Sequence, residues 1–150
     1  MHWNSILTGV LSSAIASFVF LIAAWIQAAR IRAAKAREFV GKYQLLNAET
    51  NAPYGGTVQI AYEPGRYRFS TDTATMLDLF AEHRVGDEDW TGVVEVLGYS
   101  GMATGFYHYG KRLRDGGTFR LMLSKNCEEI TEQGTPHKGP PFTNVMRRIS

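Results

Sequence analysis

The sequence predicts a mainly β protein in which one N-terminal transmembrane helix precedes a lipocalin-like antiparallel β-barrel of about eight strands. Three observations lead to this fold class. An uncharged stretch, Ile6–Ala29, is followed at once by basic residues. The hydrophobic period then changes from helical to two. Turn signals separate the short apolar runs at intervals of about 8–12 residues, which is typical of an antiparallel sandwich or closed barrel.

The uncharged stretch has the length and composition of a membrane anchor. As a helix it measures about 36 Å at roughly 1.5 Å per residue, which is enough for a bilayer core of about 30 Å. Trp3 and Trp25 lie near its two ends, where interfacial aromatic residues are enriched. A cleaved signal peptide is the alternative, but it would carry its positive charges before a shorter apolar run. We therefore expect the lipid bilayer to be a partner of this chain.

The basic residues predict the orientation of the anchor. Four of them follow the apolar stretch: Arg30, Arg32, Lys35 and Arg37. The positive-inside rule places this cluster in the cytoplasm. The prediction is a single-pass membrane protein with its N-terminus outside. Residues 1–37 form the anchor and a basic juxtamembrane helix, and residues 38–150 form a cytoplasmic barrel domain. We expect the helix to end near Phe39, with Gly41 as its stop signal.

The charge distribution argues against DNA binding by the soluble domain. The whole chain has a net charge of +2, but all 14 acidic residues and only 12 of the 16 basic residues lie from Glu38 onward. The domain is therefore mildly acidic, which does not suit a duplex-binding face. The single cysteine, Cys127, excludes a disulfide framework and suits a reducing cytoplasm.

Alternating runs predict the strands of the barrel. The predicted strands are 42–46, 57–62, 66–70, 90–97, 103–109, 118–124 and 144–149. Turn signals include 51–56 and 115–117, and the proline-rich stretch 134–141 is expected to be a loop. The last strand therefore arrives separately, and we expect it to pair with the first. The stretch 73–85 is ambiguous. Its composition slightly favours a short helix, whereas alternation of Leu77, Leu79 and Ala81 would equally make a strand.

Signatures of an enzyme or of a cofactor are missing from the sequence. There is no HExxH, no CxxC pair, no Walker A sequence and no GxGxxG opening a helix. The four histidines are scattered, and their spacing does not group them as metal ligands. We therefore expect no catalytic residues, no metal site and no cofactor, and we regard an enzyme as the least favoured class of protein.

Tyrosines and arginines on the predicted strands are the candidate ligand-binding residues. Tyr107 and Tyr109 share one face of their strand, Arg66 and Arg68 alternate with aromatic residues, and Arg120 projects opposite to its apolar neighbours. Aromatic faces with guanidinium groups suit a small anionic ligand such as a nucleotide, by stacking and by bidentate contacts to phosphate. The alternative is that the tyrosines are ordinary strand formers and the arginines face water.

Small residues form a stripe along the predicted membrane helix. Gly9, Ser13 and Ser17 fall at i, i+4 and i+8. Small residues at this spacing let helix backbones approach closely in a membrane, so the stripe predicts a homo-oligomer that assembles through the anchor. Chance is the competing explanation, since small residues are common in membrane helices.

The layout of the whole chain resembles the membrane-anchored β-barrel effectors of bacterial cyclic-oligonucleotide (CBASS-type) antiphage systems. At the level of residues, the resemblance lies in the runs Trp90–Gly92, Gly105–Tyr109 and Gly117–Phe119. It implies a barrel that binds a cyclic nucleotide and membrane segments that assemble to disrupt the inner membrane. This chain has one hydrophobic segment where that class typically has two.

The leading hypothesis is thus a membrane-anchored, ligand-sensing barrel in antiphage defence. It would bind a small anionic ligand such as a cyclic nucleotide and act through self-association. Two alternatives remain. One is a scaffolding or assembly subunit that recruits a protein partner by an exposed strand edge. The other is a lipocalin-like carrier of a lipid.

Overall fold

A computed structural model describes residues 3–62, 76–82, 89–97, 100–110 and 112–150 of the chain. These ranges contain one helix, α1 (Trp3–Arg37), and eight strands. The strands are β1 (Gly41–Asn47), β2 (Pro53–Ala61), β3 (Met76–Glu82), β4 (Trp90–Val96), β5 (Met102–Tyr109), β6 (Arg112–Leu123), β7 (Glu129–Pro136) and β8 (Phe142–Arg148). The chain divides into two compact units, one up to Ile31 and the other from Arg32 onward.

The first unit consists of the greater part of the apolar helix α1, whose last residues, from Arg32, belong to the second unit. Within α1 the segment Val10–Arg37 is long and apolar enough to cross a membrane, a test that a signal sequence also passes. Large apolar side chains such as Phe18, Phe20 and Trp25 are exposed along it. The helix ends at Arg37, two residues before the predicted Phe39, and basic side chains in its last turn suit the negative end of the helix dipole.

The second unit is a closed antiparallel barrel. Each strand pairs with the next in sequence, and β8 returns to pair with β1. In that closing pair Leu45 lies opposite Met146 and Tyr43 lies opposite Arg148. The predicted fold class, an N-terminal apolar helix followed by an eight-stranded antiparallel barrel, is confirmed. The predicted pairing of the last strand with the first is confirmed as well.

Alternate residues of the strands fill the barrel interior. The fully buried side chains include Leu45, Ile60, Leu79, Leu121 and Ile130, each 2% exposed or less. Two residues at the start of this unit are also fully buried in the core: Ala36, in the last turn of α1, and Phe39, between α1 and β1. The Tyr43 hydroxyl donates a hydrogen bond of 2.9 Å to the Phe39 carbonyl. The barrel is therefore closed at the end where β1 begins.

Arg148 fastens the closed end of the barrel. Its guanidinium donates hydrogen bonds to the carbonyls of Val40 (2.7 Å) and Cys127 (2.9 Å), and to the carbonyl of Glu38. It also donates to the Tyr43 hydroxyl at 2.6 Å. Two of these acceptors, on Glu38 and Val40, belong to the segment that leads from the helix into β1, and Tyr43 belongs to β1 itself. The last strand therefore holds the first residues of the barrel in place.

Four sequence predictions about elements are wrong in whole or in part, and one lies outside the described residues. The slight preference for helix over 73–85 fails because Met76–Glu82 is a strand. The predicted turn 115–117 lies within β6, and residues 53–56 of the predicted turn 51–56 belong to β2. Residues 134–136 of the predicted loop 134–141 belong to β7, whereas 137–141 lie between β7 and β8 as predicted. The predicted strand 66–70 falls outside the described ranges.

Candidate ligand-binding cavity

A cavity lies at the end of the barrel opposite to Phe39. It is formed where β1 and β5 end and where β2, β4 and β8 begin, together with β7. Its lining residues are Leu45, Tyr54, Trp90, Tyr107, Tyr109, Glu132, Phe142 and Asn144. Its volume is about 120 Å³. A cavity of roughly 150 Å³ holds benzene, so this one is of the size for a single ring or a similarly small group.

Aromatic rings surround Tyr107 on the inner wall of the cavity. The Tyr107 ring centroid lies 5.6 Å from that of Tyr109, 5.9 Å from that of Trp90 and 6.2 Å from that of Phe142. Tyr107 and Tyr109 share the inward face of β5 because side chains alternate along a strand. Trp90 joins them because it pairs with Tyr109 across the β4–β5 ladder. The cavity is therefore mainly aromatic.

The Tyr107 hydroxyl is a buried polar group without a protein partner. The residue is 4% exposed, and among the described residues its oxygen has no hydrogen-bond partner. Burial, with smaller contributions from the neighbouring Tyr109 and Glu132, raises the pKa of Tyr107 to about 12. The hydroxyl is thus neutral at physiological pH. Because an unsatisfied buried hydroxyl is costly, it marks a position where a bound molecule would gain a hydrogen bond.

Glu132 supplies a buried carboxyl to the same cavity. It is 3% exposed and follows Ile130 on the inward face of β7. Asn144 donates a hydrogen bond of 3.0 Å to its Oε2 atom, and the Tyr54 hydroxyl donates one of 3.0 Å to the Asn144 Oδ1 atom. Burial raises the pKa of Glu132 to about 7, although the Asn144 hydrogen bond lowers it. The carboxyl therefore changes charge near neutral pH.

The structure brings together only part of the predicted ligand-binding set. Tyr107 and Tyr109 line the cavity, whereas Arg120 is exposed on the outer face of β6 beside Thr104. The barrel wall therefore separates Arg120 from the two tyrosines. Arg66 and Arg68 lie outside the described residues.

Sequence reasoning did not find Glu132, Asn144 or Tyr54. The polar run that contains Glu132 was not predicted as a strand. The sequence pattern therefore did not indicate that the Glu132 side chain faces the barrel interior. In the described ranges, no group of three or more His, Cys, Asp and Glu residues is placed to hold a metal ion.

Two residues of the small-residue stripe are described in detail. Ser13 and Ser17 are exposed on α1, and the Ser17 hydroxyl donates a hydrogen bond of 2.9 Å to the Ser13 carbonyl. The hydroxyl is thus satisfied within its own helix. Gly9 is one turn earlier on the same helix. Of these three residues, Ser17 has its side-chain donor satisfied within the helix, which is compatible with a close helix contact in a membrane.

Comparisons with known proteins bear on the fold alone. No protein-family model matches the chain, and no curated protein matches it significantly. Among solved structures, a redesigned beta barrel is similar to this chain with a TM-score of 0.58 and 17% sequence identity. The alignment covers 77% of this chain and 96% of that one. At this identity the likeness supports the barrel architecture and carries nothing about a ligand.

Proposed function

We propose that this chain is a non-enzymatic, membrane-anchored sensor whose barrel binds a small organic ligand in the Tyr107 cavity. One observation carries the proposal: the cavity joins an aromatic wall to two buried polar groups, the Tyr107 hydroxyl and the Glu132 carboxyl. Ligand sites are typically apolar clefts with a few convergent polar groups that fix orientation. Barrel mouths are a common place for them.

The size of the cavity limits what it encloses. Its 120 Å³ is below the range of roughly 300–1,000 Å³ that encloses a drug-sized molecule. A lipid chain of the kind that lipocalins carry would need a deeper interior, and here the core is filled by side chains such as Leu79 and Leu121. A single ring or a compact head group fits better, and the rest of a larger ligand would remain outside the barrel.

A cyclic nucleotide is the second ligand class, because a base could stack against the tyrosines of the cavity. Base–aromatic stacking contributes about 1–3 kcal/mol per base. The phosphates, however, would need cationic partners, and the described lining residues include no lysine or arginine. A role in antiphage defence depends on this ligand class and rests on the resemblance in layout.

The output of the sensor would be self-association through α1. A ligand shifts assembly only if it binds the assembled state more tightly than the monomer. Replacing Ser13 and Ser17 by leucine should abolish association because bulky side chains separate the helix backbones. Replacing both by alanine should preserve it. Cross-linking of the full chain in lipid vesicles distinguishes the two, and equal cross-linking of both variants would contradict the proposed interface.

Native mass spectrometry of the full chain, purified from its own host in mild detergent, tests ligand binding. The expected result is a bound small molecule in the wild type that is lost when Leu45, which lines the cavity, is replaced by phenylalanine. Replacement of Leu46 by phenylalanine is the matched control, since Leu46 is 3% exposed against 2% for Leu45 but does not line the cavity. A bound molecule that L45F retains would overturn the proposal, and so would a wild type without any bound molecule. Calorimetry with cyclic di- and trinucleotides tests the second ligand class separately.

A further inference from the structure

The chemistry of the cavity indicates the charge of its ligand. Resting on the proposed function, we infer that the Tyr107 cavity binds an organic cation, in which an ammonium group next to a compact apolar body pairs with the carboxylate of Glu132. This differs from the anionic ligand that the arginines suggested. Burial, the aromatic lining and the orientation of the hydrogen bonds each support it.

The first argument is that no cationic side chain among the described residues pairs with Glu132. Its side chain is 3% exposed, and its described hydrogen bond comes from the neutral amide of Asn144. Buried carboxylates are normally paired with a cation or a metal ion, because an isolated one is strongly disfavoured. Here the pKa of Glu132 is raised instead, as expected for a buried carboxyl without a counter-ion among the described residues. A bound ammonium would supply that counter-ion.

The second argument is the aromatic lining. Trp90, Tyr107, Tyr109 and Phe142 line the cavity together with the partly exposed Tyr54. The faces of aromatic rings attract cations, and groups of aromatic residues recognise alkylated ammonium ions in many proteins. An anion would meet the negative faces of the same rings and the Glu132 carboxylate, and both would repel it.

The third argument is hydrogen-bond geometry. The Asn144 amide is fixed at both ends, since its Nδ2 donates to Glu132 and its Oδ1 accepts from Tyr54. The Tyr107 hydroxyl has no partner among the described residues and can accept a bond from an N–H group. The other ionisable side chains that line the cavity are the tyrosines Tyr54, Tyr107 and Tyr109, and burial raises the pKa of Tyr107 to about 12. An ammonium group can therefore donate to Glu132 and to Tyr107 together.

Three probes that share one ring test the charge preference: benzylamine, benzyl alcohol and benzoate. They are titrated by calorimetry into the full chain in mild detergent. Near about pH 8, where Glu132 is ionised, we expect benzylammonium to bind about tenfold or more tightly than the neutral alcohol, as a charge-assisted hydrogen bond and a cation–π contact predict. Benzoate should not bind. Near about pH 5, where Glu132 is protonated, the preference should fall to about threefold or less.

In the variant Glu132→Gln, the preference for benzylammonium over benzyl alcohol should be about threefold or less at both pH values, because only the cation–π contact remains. If this variant does not fold, the pH comparison on the wild type still decides the inference. Equal affinity of the wild type for benzylammonium and benzyl alcohol near about pH 8 would overturn the inference of a cationic ligand. It would not contradict the proposal that the cavity binds a ligand. An absence of heat with all three probes would also overturn the inference. The proposed function is tested separately, by whether native mass spectrometry detects a bound molecule.

Discussion

The guanidinium of Arg148 donates a hydrogen bond of 2.6 Å to the Tyr43 hydroxyl and lies 5.1 Å from the centroid of the same ring. The Tyr43 hydroxyl in turn donates to the Phe39 carbonyl at 2.9 Å. Tyr43 is completely buried, so this chain of bonds lies inside the closed end of the barrel. These hydrogen bonds therefore link three parts of the barrel unit: the last strand, the first strand, and the segment between the helix and the first strand.

Loss of Arg148 should destabilise the barrel far more than loss of its neighbour Arg147. The variant Arg148→Met leaves the Glu38, Val40 and Cys127 carbonyls without this donor, and we expect the free energy of unfolding to fall by about 2–4 kcal/mol. Arg147→Met removes an exposed ion pair to Glu129, at 2.8 Å, and should cost about 1 kcal/mol or less. Thermal unfolding of the full chain in detergent measures both. Equal losses would show that Arg148 does not fasten this end.

The two buried tyrosines should respond in opposite ways to removal of the hydroxyl. Tyr43→Phe loses two hydrogen bonds and should lower stability by about 1–2 kcal/mol. Tyr107→Phe removes a buried hydroxyl that has no partner among the described residues, so stability should stay the same or rise by up to about 1 kcal/mol. Urea unfolding in detergent compares the variants. Marked destabilisation by Tyr107→Phe would mean that its hydroxyl has a structural role, which would weaken the case for a ligand site.

Glu132 should make the barrel less stable as the pH rises. Its folded pKa, about 7, exceeds its ordinary value of 4.5, so the folded state holds the proton more tightly. Stability from this group is fully present below about pH 4.5 and is lost as the pH rises through about 7, with a total change of about 3 kcal/mol. The variant Glu132→Gln should not show this slope, so the difference between the two proteins isolates the group. Parallel pH profiles of the melting temperature would contradict the assignment.

Much of the barrel could be predicted because its inner residues follow a period of two. The exceptions have physical causes in particular residues. In β3, Leu77 and Leu79 are completely buried, so packing outweighs the helix-forming composition of the segment. In the sequence, Gly116 and Gly117 gave the signal of a turn. In the structure they lie within β6 and allow the neighbouring strands to approach closely. A Cβ atom on Gly116 would lie 2.1 Å from the Tyr107 carbonyl oxygen.

The candidate site was harder to predict than the fold because it breaks the pattern of a strand. On the inward face of β7, Glu132 and Gly134 follow Ile130, so two of these three inward positions are not apolar. A polar residue that faces a core gives no periodic signal, and such departures concentrate at functional sites. Tyr107 and Tyr109 were found because their strand alternates regularly.

The position of Phe142 should depend on the absence of a side chain at Gly134. The two residues are opposite each other in the β7–β8 ladder, and a Cβ atom on Gly134 would lie 2.0 Å from the Phe142 ring. Gly134→Ala should therefore displace the ring, lower stability by about 1–3 kcal/mol and alter ligand binding. Gln133→Ala, at the exposed neighbouring position, is the control and should change stability by less than about 0.5 kcal/mol. A native-like melting temperature of Gly134→Ala would show that the ring can move freely.

The orientation of the anchor can be measured with the single cysteine of the chain. Cys127 is partly exposed on the barrel, and the basic cluster after the apolar stretch predicts that the barrel lies in the cytoplasm. A membrane-impermeant maleimide should therefore label Cys127 in bacterial spheroplasts only after lysis. In the double variant His2→Cys, Cys127→Ser, the new thiol should be labelled before lysis, since the N-terminus is expected outside. The reverse pattern would invert the topology. Recovery of the barrel in the soluble fraction, without its first residues, would instead identify the apolar stretch as a cleaved signal.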